Sequence, residues 1–529
     1  MQIDFNTTGV SNLIKDYLAE NENLKPFYGY FPEQKNYLLQ AKSKLANYQH
    51  RNLLVDTIRR QHKNVDLHEK QLQNIECLAL HNTVTVTTGH QLNLLSGPMY
   101  FIYKILHTIK ICDQLNSSQN DYNFVPVYWM ATEDHDFDEI NHFHTYAQNV
   151  SYNAIAGGFV GDISTNSTHE SLGEFMESLG DTTFDVQLKQ IIQKAYFEQE
   201  NLAEATRILV HELLGEYGIL ILDGNDNSLK KIMIPYFEQE LFNKTSQEKV
   251  QQTNKALDSY GTQAFAREIN LFYLHQNIRE RIENIGEKYV LSLSQKEFSK
   301  EEIRNELYQS PEKFSPNVIL RPLYQEVILP NTAYVGGGGE IAYWLQLKSL
   351  FESYQVIFPM LVVRNSGLIV PNYIKHKAEK FDLMTESMFL SEDLLKNQFI
   401  QEQSELFAAM DILKTELESH FQKLNNIAQL TSPVFENMLK AQKTKQLNGF
   451  NKLNKRLIKS EKIRFDEQIS KIGSVYSYLF PQKSWQERRI NFSEFYRTYG
   501  AEIFHHIYHN FPAFESKFNI ITPDDKNLD

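Results

Sequence analysis

The middle of the chain alternates between short apolar runs and longer stretches with helical apolar spacing. Residues 84–87 form a β-branched run, residues 99–115 have helical spacing, and residues 124–130 form a second apolar run. Strand, loop, helix and strand in this order predict the beginning of a parallel, doubly wound α/β sheet. A further buried strand is predicted at 219–223, directly before a turn and a helical stretch.

Later apolar runs predict that distant segments complete the same sheet. Runs at 318–321 and 327–329 precede four consecutive glycines at 336–339. Residues 356–358 and 361–364 then predict another pair of strands. The intervening segments are interpreted as insertions on a single sheet.

From residue 391 the apolar positions follow a heptad seam, which predicts an antiparallel helical hairpin. The first arm, 391–430, has seven acidic and three basic side chains, whereas residues 440–464 have nine basic and one acidic. Complementary charge favours pairing between the two arms, although a basic helix also suits nucleotide phosphates. The predicted divisions are an N-terminal helical layer (1–80), a first core part (81–150), insertion 1 (151–215), a core strand (216–235), insertion 2 (236–315), a second core part (316–385), the coiled-coil hairpin (386–478) and a segment that returns to the core (479–529).

The net charge indicates which kinds of ligand the protein binds, and the cysteine content indicates the cellular compartment. The 529 residues carry 66 acidic and 53 basic side chains, a formal charge of −13, which disfavours nucleic acid and favours amine-bearing ligands. Cys77 and Cys112 are too few for a disulfide framework or a cysteine-based zinc site, so a reducing cytoplasm is expected. No signal peptide is predicted, and the uncharged stretch 77–103 contains polar and helix-breaking residues that argue against a membrane span.

The loop between the first strand and its helix is the first candidate site. Open α/β sheets bind ligands at such strand ends. Ser96 and Gly97 precede Pro98, so we expect Ser96 to cap the helix. We also expect the free N–H groups at the N-terminus of that helix to bind an anion. The candidate ligand-binding residues of this loop and helix are Gly89, His90, Gln91, Tyr100 and Lys104. A capped tight turn without a ligand is the simpler interpretation.

The most specific pattern is an acidic and histidine-rich segment directly after the second strand. Residues 133–144 contain five carboxylates and three histidines, a density that solubility alone does not explain. Such a cluster can bind amines, coordinate a metal or supply a general base. The candidates are Glu133, Asp134, His135, Asp136, Asp138 and His142, with His135 or His142 as the base.

The glycine run and several basic side chains complete the candidates. Gly337, Gly338 and Gly339 allow close approach of a ligand to the backbone, and Glu340 is placed to take a ribose hydroxyl. The run matches neither the phosphate-loop nor the dinucleotide fingerprint. Arg321, Arg364 and Lys104 are candidate partners of substrate carboxylates.

Taken together, these motifs resemble the BshC family, the cysteine-adding enzymes of bacillithiol biosynthesis. The resemblance rests on residues 88–91, 96–100, 103–104, 126–129, 133–141 and 485–488, and it extends over essentially the whole chain. It implies a Rossmann-like core similar to class I aminoacyl-tRNA synthetases, with two connective-peptide insertions and a coiled coil that forms a homodimer. It also implies a ligase that joins L-cysteine to the amino group of glucosaminyl malate, the last step of the pathway.

The resemblance further implies a site for ATP or ADP, for which Arg488, Arg489 and the basic second arm are candidates. The synthetase signatures themselves are absent, because Ser96-Gly97-Pro98 and Arg364-Asn365-Ser366 stand roughly where they would occur. The cysteine-rich zinc site of a cysteinyl synthetase is missing as well. Two other hypotheses stay open: a metal-dependent hydrolase built on residues 133–144, and a coiled-coil adaptor that binds RNA.

Overall fold

The computed structural model describes residues 1–118, 121–154, 158–275 and 278–524. The chain divides into two structural units, one of 1–369 with 484–529 and the other of 370–483.

Short strands and longer helices alternate along the chain. The strands are β1 (Gln2–Asp4), β2 (Thr83–His90), β3 (Asn123–Met130), β4 (His142–His144), β5 (Asn149–Ser151), β6 (Leu220–Asp223), β7 (Leu271–His275), β8 (Ile278–Ile285), β9 (Lys288–Leu291), β10 (Glu297–Ser299), β11 (Phe314–Pro316), β12 (Asn331–Gly336), β13 (Met360–Val363), β14 (Ser366–Ile369) and β15 (Lys517–Ile521). The helices of the larger unit are α1 (Asn12–Leu18), α2 (Gln34–Leu45), α3 (Arg51–Gln61), α4 (Glu69–Leu78), α5 (Tyr100–Ser117), α6 (Phe137–Ile140), α7 (His169–Ser178), α8 (Thr183–Ile192), α9 (Leu202–Leu214), α10 (Asn227–Asn243), α11 (Thr245–Ala256), α12 (Lys300–Gln309), α13 (Arg321–Ile328), α14 (Gly338–Leu345) and α15 (Lys348–Ser353). The smaller unit contains α16 (Asn372–Glu379), α17 (Glu392–Gln403), α18 (Glu405–Ala428), α19 (Pro433–Arg464) and α20 (Asp466–Leu479), after which the larger unit resumes with α21 (Ser493–Tyr499) and α22 (Glu502–Asn510).

A parallel five-stranded sheet confirms the predicted α/β core. Its strand order is β13-β12-β2-β3-β6. Numbered along the chain, this order is 5-4-1-2-3, which is the 3-2-1-4-5 order of a Rossmann-type doubly wound sheet read from the other edge, so the order reverses between β2 and β12. The carboxyl ends of β2, β3 and β12 therefore meet at the switch point, where such sheets bind ligands.

The second half of the sheet corrects the predicted strands. Residues 321–328 form α13 instead of a strand, because Pro322 starts a helix and apolar residues recur there at three- and four-residue spacing. The strand is β12, whose polar Asn331 accepts hydrogen bonds from Thr85 and Thr87 of β2. Residues 356–358 do not form a strand, since Phe358 packs against Phe351 and Trp344, and β13 begins only at Met360.

Insertion 2 contains a five-stranded antiparallel sheet, β10-β9-β8-β7-β11. The sequence indicated only charged helix formers in this segment. Strands of three to five residues, as in β7, β9, β10 and β11, are too short to give a clear alternating signal. Neither these strands nor their register could therefore be predicted from the sequence.

The two ends of the chain meet in a small mixed sheet, β1-β15-β14. β15 pairs antiparallel with β1 and parallel with β14, so the C-terminal segment returns to the larger unit as expected. The first 80 residues contain α1 to α4 as predicted, although they begin with β1.

The smaller unit contains the helical hairpin, whose long arms are α18 and α19. The first arm is broken at Ser404, where the backbone is extended (φ −106°, ψ 112°), so α17 and α18 are separate helices. Within the described part of the chain, no helix has the length and apolar character that a bilayer crossing requires.

Candidate functional site

A cavity of about 640 Å³ lies at the carboxyl ends of β2, β3 and β12. We call it the switch-point cavity. It brings together residues that the sequence analysis selected from four separate segments. Those that line it are Gly89, His90, Gln91, Tyr100, Glu133, Asp134, His135, Arg321 and Glu340.

A second cavity of about 370 Å³ lies beside the N-terminus of α14. We call it the glycine-loop cavity. Its lining includes Gly337, Gly338, Gly339, Arg364 and Arg488, all selected from the sequence. The two cavities share a wall, because the Arg364 guanidinium lies 5.2 Å from the ring centroid of Tyr100, which lines the switch-point cavity.

Seven selected residues line neither cavity: Ser96, Gly97, Lys104, Asp136, Asp138, His142 and Arg489. Asp136 and Asp138 lie on the segment that follows β3 but outside the cavity lining. His142 lies in β4, where its Nδ1 is 2.9 Å from Oδ1 of Asn141, and it lines neither cavity.

The expected anion site at the start of α5 is wrong in its details. Ser96 does not cap the helix, which begins after Met99 without a side-chain cap. The Met99 amide donates to the Ile490 carbonyl, and Asn491 Nδ2 donates to the Leu95 and Gly97 carbonyls. The C-terminal segment therefore covers this turn, a long-range contact that local sequence could not indicate.

Asp134 is held as a carboxylate at the end of β3. Its Oδ2 accepts from Gln91 Nε2 at 2.7 Å, and its Oδ1 accepts from the His135 amide at 2.7 Å. Although burial opposes ionisation, the hydrogen bonds from Gln91 and from the His135 backbone amide, together with the charge of Arg279, hold the pKa of Asp134 well below its usual range. The cavity thus presents a fixed negative charge at physiological pH.

His135 is fixed by an arginine from insertion 2. Arg279 Nη1 lies 2.8 Å from His135 Nδ1. Because a guanidinium only donates hydrogen bonds, Nδ1 must be the acceptor, so a neutral ring carries its proton on Nε2. His135 therefore offers a hydrogen-bond donor to a ligand, whereas the sequence pattern suggested His135 or His142 as a general base.

Glu133 is not free to bind a substrate amine. Its carboxylate pairs with Lys230 of α10, whose Nζ also donates to the Phe314 carbonyl at 2.6 Å. Burial raises the pKa of Glu133. This buried pair joins the acidic segment to insertion 2.

Glu340 also has partners already, which corrects its expected role with a ribose. Lys104 Nζ lies 2.8 Å from Oε2, Tyr334 donates to Oε1 at 2.6 Å, and the Gly337 amide donates to Oε2 at 2.9 Å. Although burial opposes ionisation, the Lys104 charge and these hydrogen bonds lower the pKa of Glu340 to about 2. Lys104 Nζ also donates to the Gly89 carbonyl, so the Lys104–Glu340 pair links β2, α5 and α14.

The two arginines expected to bind substrate carboxylates differ in whether a carboxylate of the chain already pairs with them. Arg364 is buried and forms an ion pair with Glu487 at 2.7 Å. Arg321 donates to the Tyr343 hydroxyl at 2.8 Å and to Gln325. Among the described residues no carboxylate pairs with Arg321, so it is the better candidate for a ligand carboxylate.

His90 lies at the end of β2 with its ring 4.8 Å from that of Phe101. Burial, together with the Lys104 charge, lowers the pKa of His90 to about 3. His90 is therefore neutral across the physiological range and does not titrate during a reaction.

Four charged residues of the cavity lining were not selected from the sequence: Glu139, Arg267, Arg279 and Arg281. Glu139 lies within the acidic segment, and burial raises its pKa. Arg279 and Arg281 stand two residues apart on β8, so they share a face of that strand. That spacing was the available signal, but nothing local indicated that β8 faces the switch point.

In the described ranges, no three or more His, Cys, Asp or Glu side chains are arranged to hold a metal ion. The metal-dependent hydrolase hypothesis thus lacks a ligand set among these residues. The two cysteines are unpaired.

Comparison with known proteins gives matches over nearly the whole chain. A model of the bacillithiol biosynthesis BshC N-terminal Rossmann-like domain matches residues 1–365, and a model of the BshC C-terminal coiled-coil domain matches residues 367–523. A Flavobacterium johnsoniae protein named "Putative cysteine ligase BshC" is 43% identical over 98% of this chain and 99% of its own length. A Flavobacterium psychrophilum protein of the same name is 42% identical over 97% of each chain.

A solved structure titled as a putative arginyl-tRNA synthetase from Campylobacter jejuni is 10% identical, covering 80% of this chain and 99% of that chain. Its TM-score of 0.23 is too low to establish a shared fold. The family assignment rests on the two domain models and the full-length relatives. The parallel sheet, the helical hairpin and these matches together show that the chain belongs to the BshC family of bacillithiol biosynthesis.

Proposed function

We propose that the chain is a ligase that joins the carboxyl group of L-cysteine to the amino group of glucosaminyl malate, the last step of bacillithiol formation. The observation that carries this proposal is the ionised Asp134 carboxylate, fixed by Gln91 and His135 in a cavity large enough for an aminosugar. A fixed anion there attracts a protonated amine, and the names of the full-length relatives agree with a cysteine ligase.

The acyl group requires activation before an amine can attack it. In the proposed step, cysteine attacks ATP and releases either pyrophosphate, leaving an acyl adenylate, or ADP, leaving an acyl phosphate. The amine nitrogen then bonds to the carbonyl carbon while the bond from that carbon to the phosphoryl oxygen breaks, and AMP or phosphate leaves. The nucleotide is assigned to the glycine-loop cavity, where Gly339 has open space around it and Arg488 supplies positive charge.

The attacking amine must also lose a proton. His135 offers an N–H in the observed arrangement, so it suits the carbonyl or phosphate oxygen better than the amine. Glu139 is the proposed proton acceptor, because it lines the cavity and partial desolvation raises its pKa above the ordinary value for a glutamate. This assignment replaces both His135 and His142 as the base.

The helical hairpin is proposed to form a homodimer. Several apolar residues of α18 and α19 are exposed in the single chain: Leu406, Ile412, Leu413, Leu424, Ile427, Val434, Met438, Leu453 and Ile463. Leu406, Leu413 and Leu424 follow one another at intervals of seven and eleven residues, as in the heptad seam predicted from residue 391, and a second copy is the occupant that such a seam fits best. We propose the reducing cytoplasm as the compartment of the reaction, and the two unpaired cysteines support this proposal.

Single-turnover amide formation by the Asp134→Asn variant tests the site. Losing an ionised hydrogen-bond acceptor lowers affinity for an ammonium group by roughly 10- to 100-fold, and we expect a similar loss of rate at subsaturating acceptor. Asp136→Asn is the matched control, since Asp136 is exposed and outside the cavity. Full activity of Asp134→Asn would show that the amine binds elsewhere.

A further inference from the structure

The lining of the switch-point cavity contains arginines that form no ion pair with a described carboxylate. Four arginines line it: Arg267, Arg279, Arg281 and Arg321. Throughout the described parts of the chain, none of the four has a carboxylate oxygen within 4.0 Å, whereas Arg304 and Arg364 each form an ion pair at 2.8 Å or less. Guanidinium groups gathered in a cavity without counter-ions form a binding site for an anion.

Arg279 is the most firmly positioned of the four. Its side chain is buried, its Nε donates to Ser315 Oγ at 3.1 Å, and its Nη2 donates to the Pro316 carbonyl at 3.1 Å. The guanidinium also lies 3.8 Å from the ring centroid of Phe272. With one further bond to His135, three of its five N–H donors are engaged, which leaves two for a ligand.

The acidic residue between the two β8 arginines faces away from them. Glu280 accepts hydrogen bonds from the amides of Leu293 at 2.6 Å and Ser294 at 2.8 Å, and it pairs with His275. Asp134 and Glu133 act on Arg279 only from beyond ion-pair distance, and they do not remove its positive charge. The two arginines of β8 therefore line the cavity without a paired carboxylate in the described part of the chain.

We propose that Arg267, Arg279, Arg281 and Arg321 form a carboxylate subsite that recognises a dicarboxylate group of the acceptor. Arg279 and Arg321 form its deep part, and the exposed Arg281 and Arg267 form its rim. Insertion 2 supplies three of the four, so this insertion determines which acceptor is accepted. The proposal rests on the proposed function only where it equates the dicarboxylate with the malyl group.

The remaining basic candidates are unsuited to this role. Arg364 is neutralised by Glu487, and Lys104 by Glu340. A substrate carboxylate would have to displace a buried partner from either one, which leaves a buried charge uncompensated. The four unpaired arginines require no such displacement.

Isothermal titration calorimetry of the full chain tests the subsite without cysteine or nucleotide. The probes are glucosaminyl malate, L-malate and glucosamine, and the variants are Arg281→Gln and Arg279→Lys. Arg281→Gln is the safer variant for folding because Arg281 is exposed, and Arg279→Lys keeps the charge but loses the planar fork. Arg304→Gln, also in insertion 2 but outside the cavity, is the matched control.

We expect both cavity variants to bind glucosaminyl malate and L-malate at least roughly tenfold more weakly, with glucosamine binding unchanged and Arg304→Gln equal to wild type. Binding of both malyl probes within twofold of wild type in both variants, or an equal loss for glucosamine, would overturn the subsite. Because no turnover is needed, a wild-type chain that binds the probes as described but forms no amide would contradict the ligase proposal alone.

Discussion

Arg279 Nη1 lies 2.8 Å from His135 Nδ1, although the two residues are 144 positions apart. This contact joins the inserted antiparallel sheet to the acidic segment after β3. It sets the tautomer of His135. It also links the part of the cavity lining that comes from β8 to the part that follows β3.

The tautomer of His135 is directly measurable. In a sample with ¹⁵N-labelled histidine, we expect Nδ1 of His135 to have the chemical shift of an unprotonated nitrogen and Nε2 that of a protonated one. Arg279→Ala removes the donor, so the shift of Nδ1 should change, and the spectrum of the exposed His376 serves as the control. A protonated Nδ1 in the wild-type chain would refute the donor role of His135.

The Lys104–Glu340 pair is expected to stabilise the larger unit. Lys104→Met leaves the Glu340 carboxylate without its buried cation, and breaking such a pair costs about 3–5 kcal/mol, measurable by urea unfolding at pH 7. Lys25→Met, which removes an exposed pair with Glu22, should leave the urea midpoint unchanged. Equal midpoints for the two variants would show that the buried pair adds no stability.

The same pair predicts a pH dependence with a definite sign. The pKa of Glu340 falls from 4.5 to about 2 on folding, so the stability that its ionised form contributes is complete above about pH 4.5 and is lost as the pH falls toward 2. The stability difference between wild type and Glu340→Gln should therefore shrink across this interval. A difference that stays constant from about pH 5 to about pH 2 would contradict the assignment.

Gly89 is expected to control the shape of the cavity floor. A Cβ at this position would lie 3.3 Å from the Tyr334 hydroxyl and 3.4 Å from Arg321 Nη1. Gly89→Ala should displace Arg321 and raise the KM for glucosaminyl malate by roughly tenfold, equivalent to about 1.4 kcal/mol. In Gly173→Ala the new Cβ has no neighbour within 4 Å, so its KM should equal that of wild type.

A substitution of Arg488 tests the proposed nucleotide site independently of the proposed acceptor site. It lines the glycine-loop cavity, and its guanidinium lies 5.0 Å from the Trp485 ring centroid. Arg488→Gln should raise the KM for ATP by roughly tenfold while the affinity for glucosaminyl malate stays unchanged, and Arg497→Gln serves as a control outside both cavities. An unchanged KM for ATP would remove Arg488 from the nucleotide site.

The hairpin prediction concerns oligomeric state. Ile412 and Leu413 are 62% and 52% exposed in the single chain. Replacing both with Asp should therefore disrupt an apolar dimer interface and leave the buried core of the chain unchanged. Sedimentation velocity should give a dimer for wild type and a monomer for the double variant. A wild-type monomer at micromolar concentration would refute the dimer.

The parallel sheet and the acidic segment were predictable because their signals are local. The apolar runs of β2 and β3 each end directly before a cluster of polar residues, and parallel strands bring those ends together. The partners of those residues were not predictable. Arg279 reaches the cavity only because β8 packs over it, and Glu487 neutralises Arg364 from 123 residues away.

α13 shows a second limit of the sequence. Its residues are nearly all buried, and the apolar runs at 318–321 and 327–329 that overlap its two ends resemble strands. Only Pro322 and the three- and four-residue spacing indicate a helix. The neutralised Lys104 shows a third, since a lysine on a helix gives no sign that a glutamate 236 residues away will pair with it.

Reconstitution of the full chain with L-cysteine, glucosaminyl malate and ATP tests the central claim most directly. Mass spectrometry should detect a thiol product whose mass equals the sum of the two substrates minus one water, together with one equivalent of AMP or ADP. The product should disappear when any one of the three components is omitted. Absence of the conjugate with all three present, or its formation without ATP, would contradict nucleotide-dependent ligation by this chain.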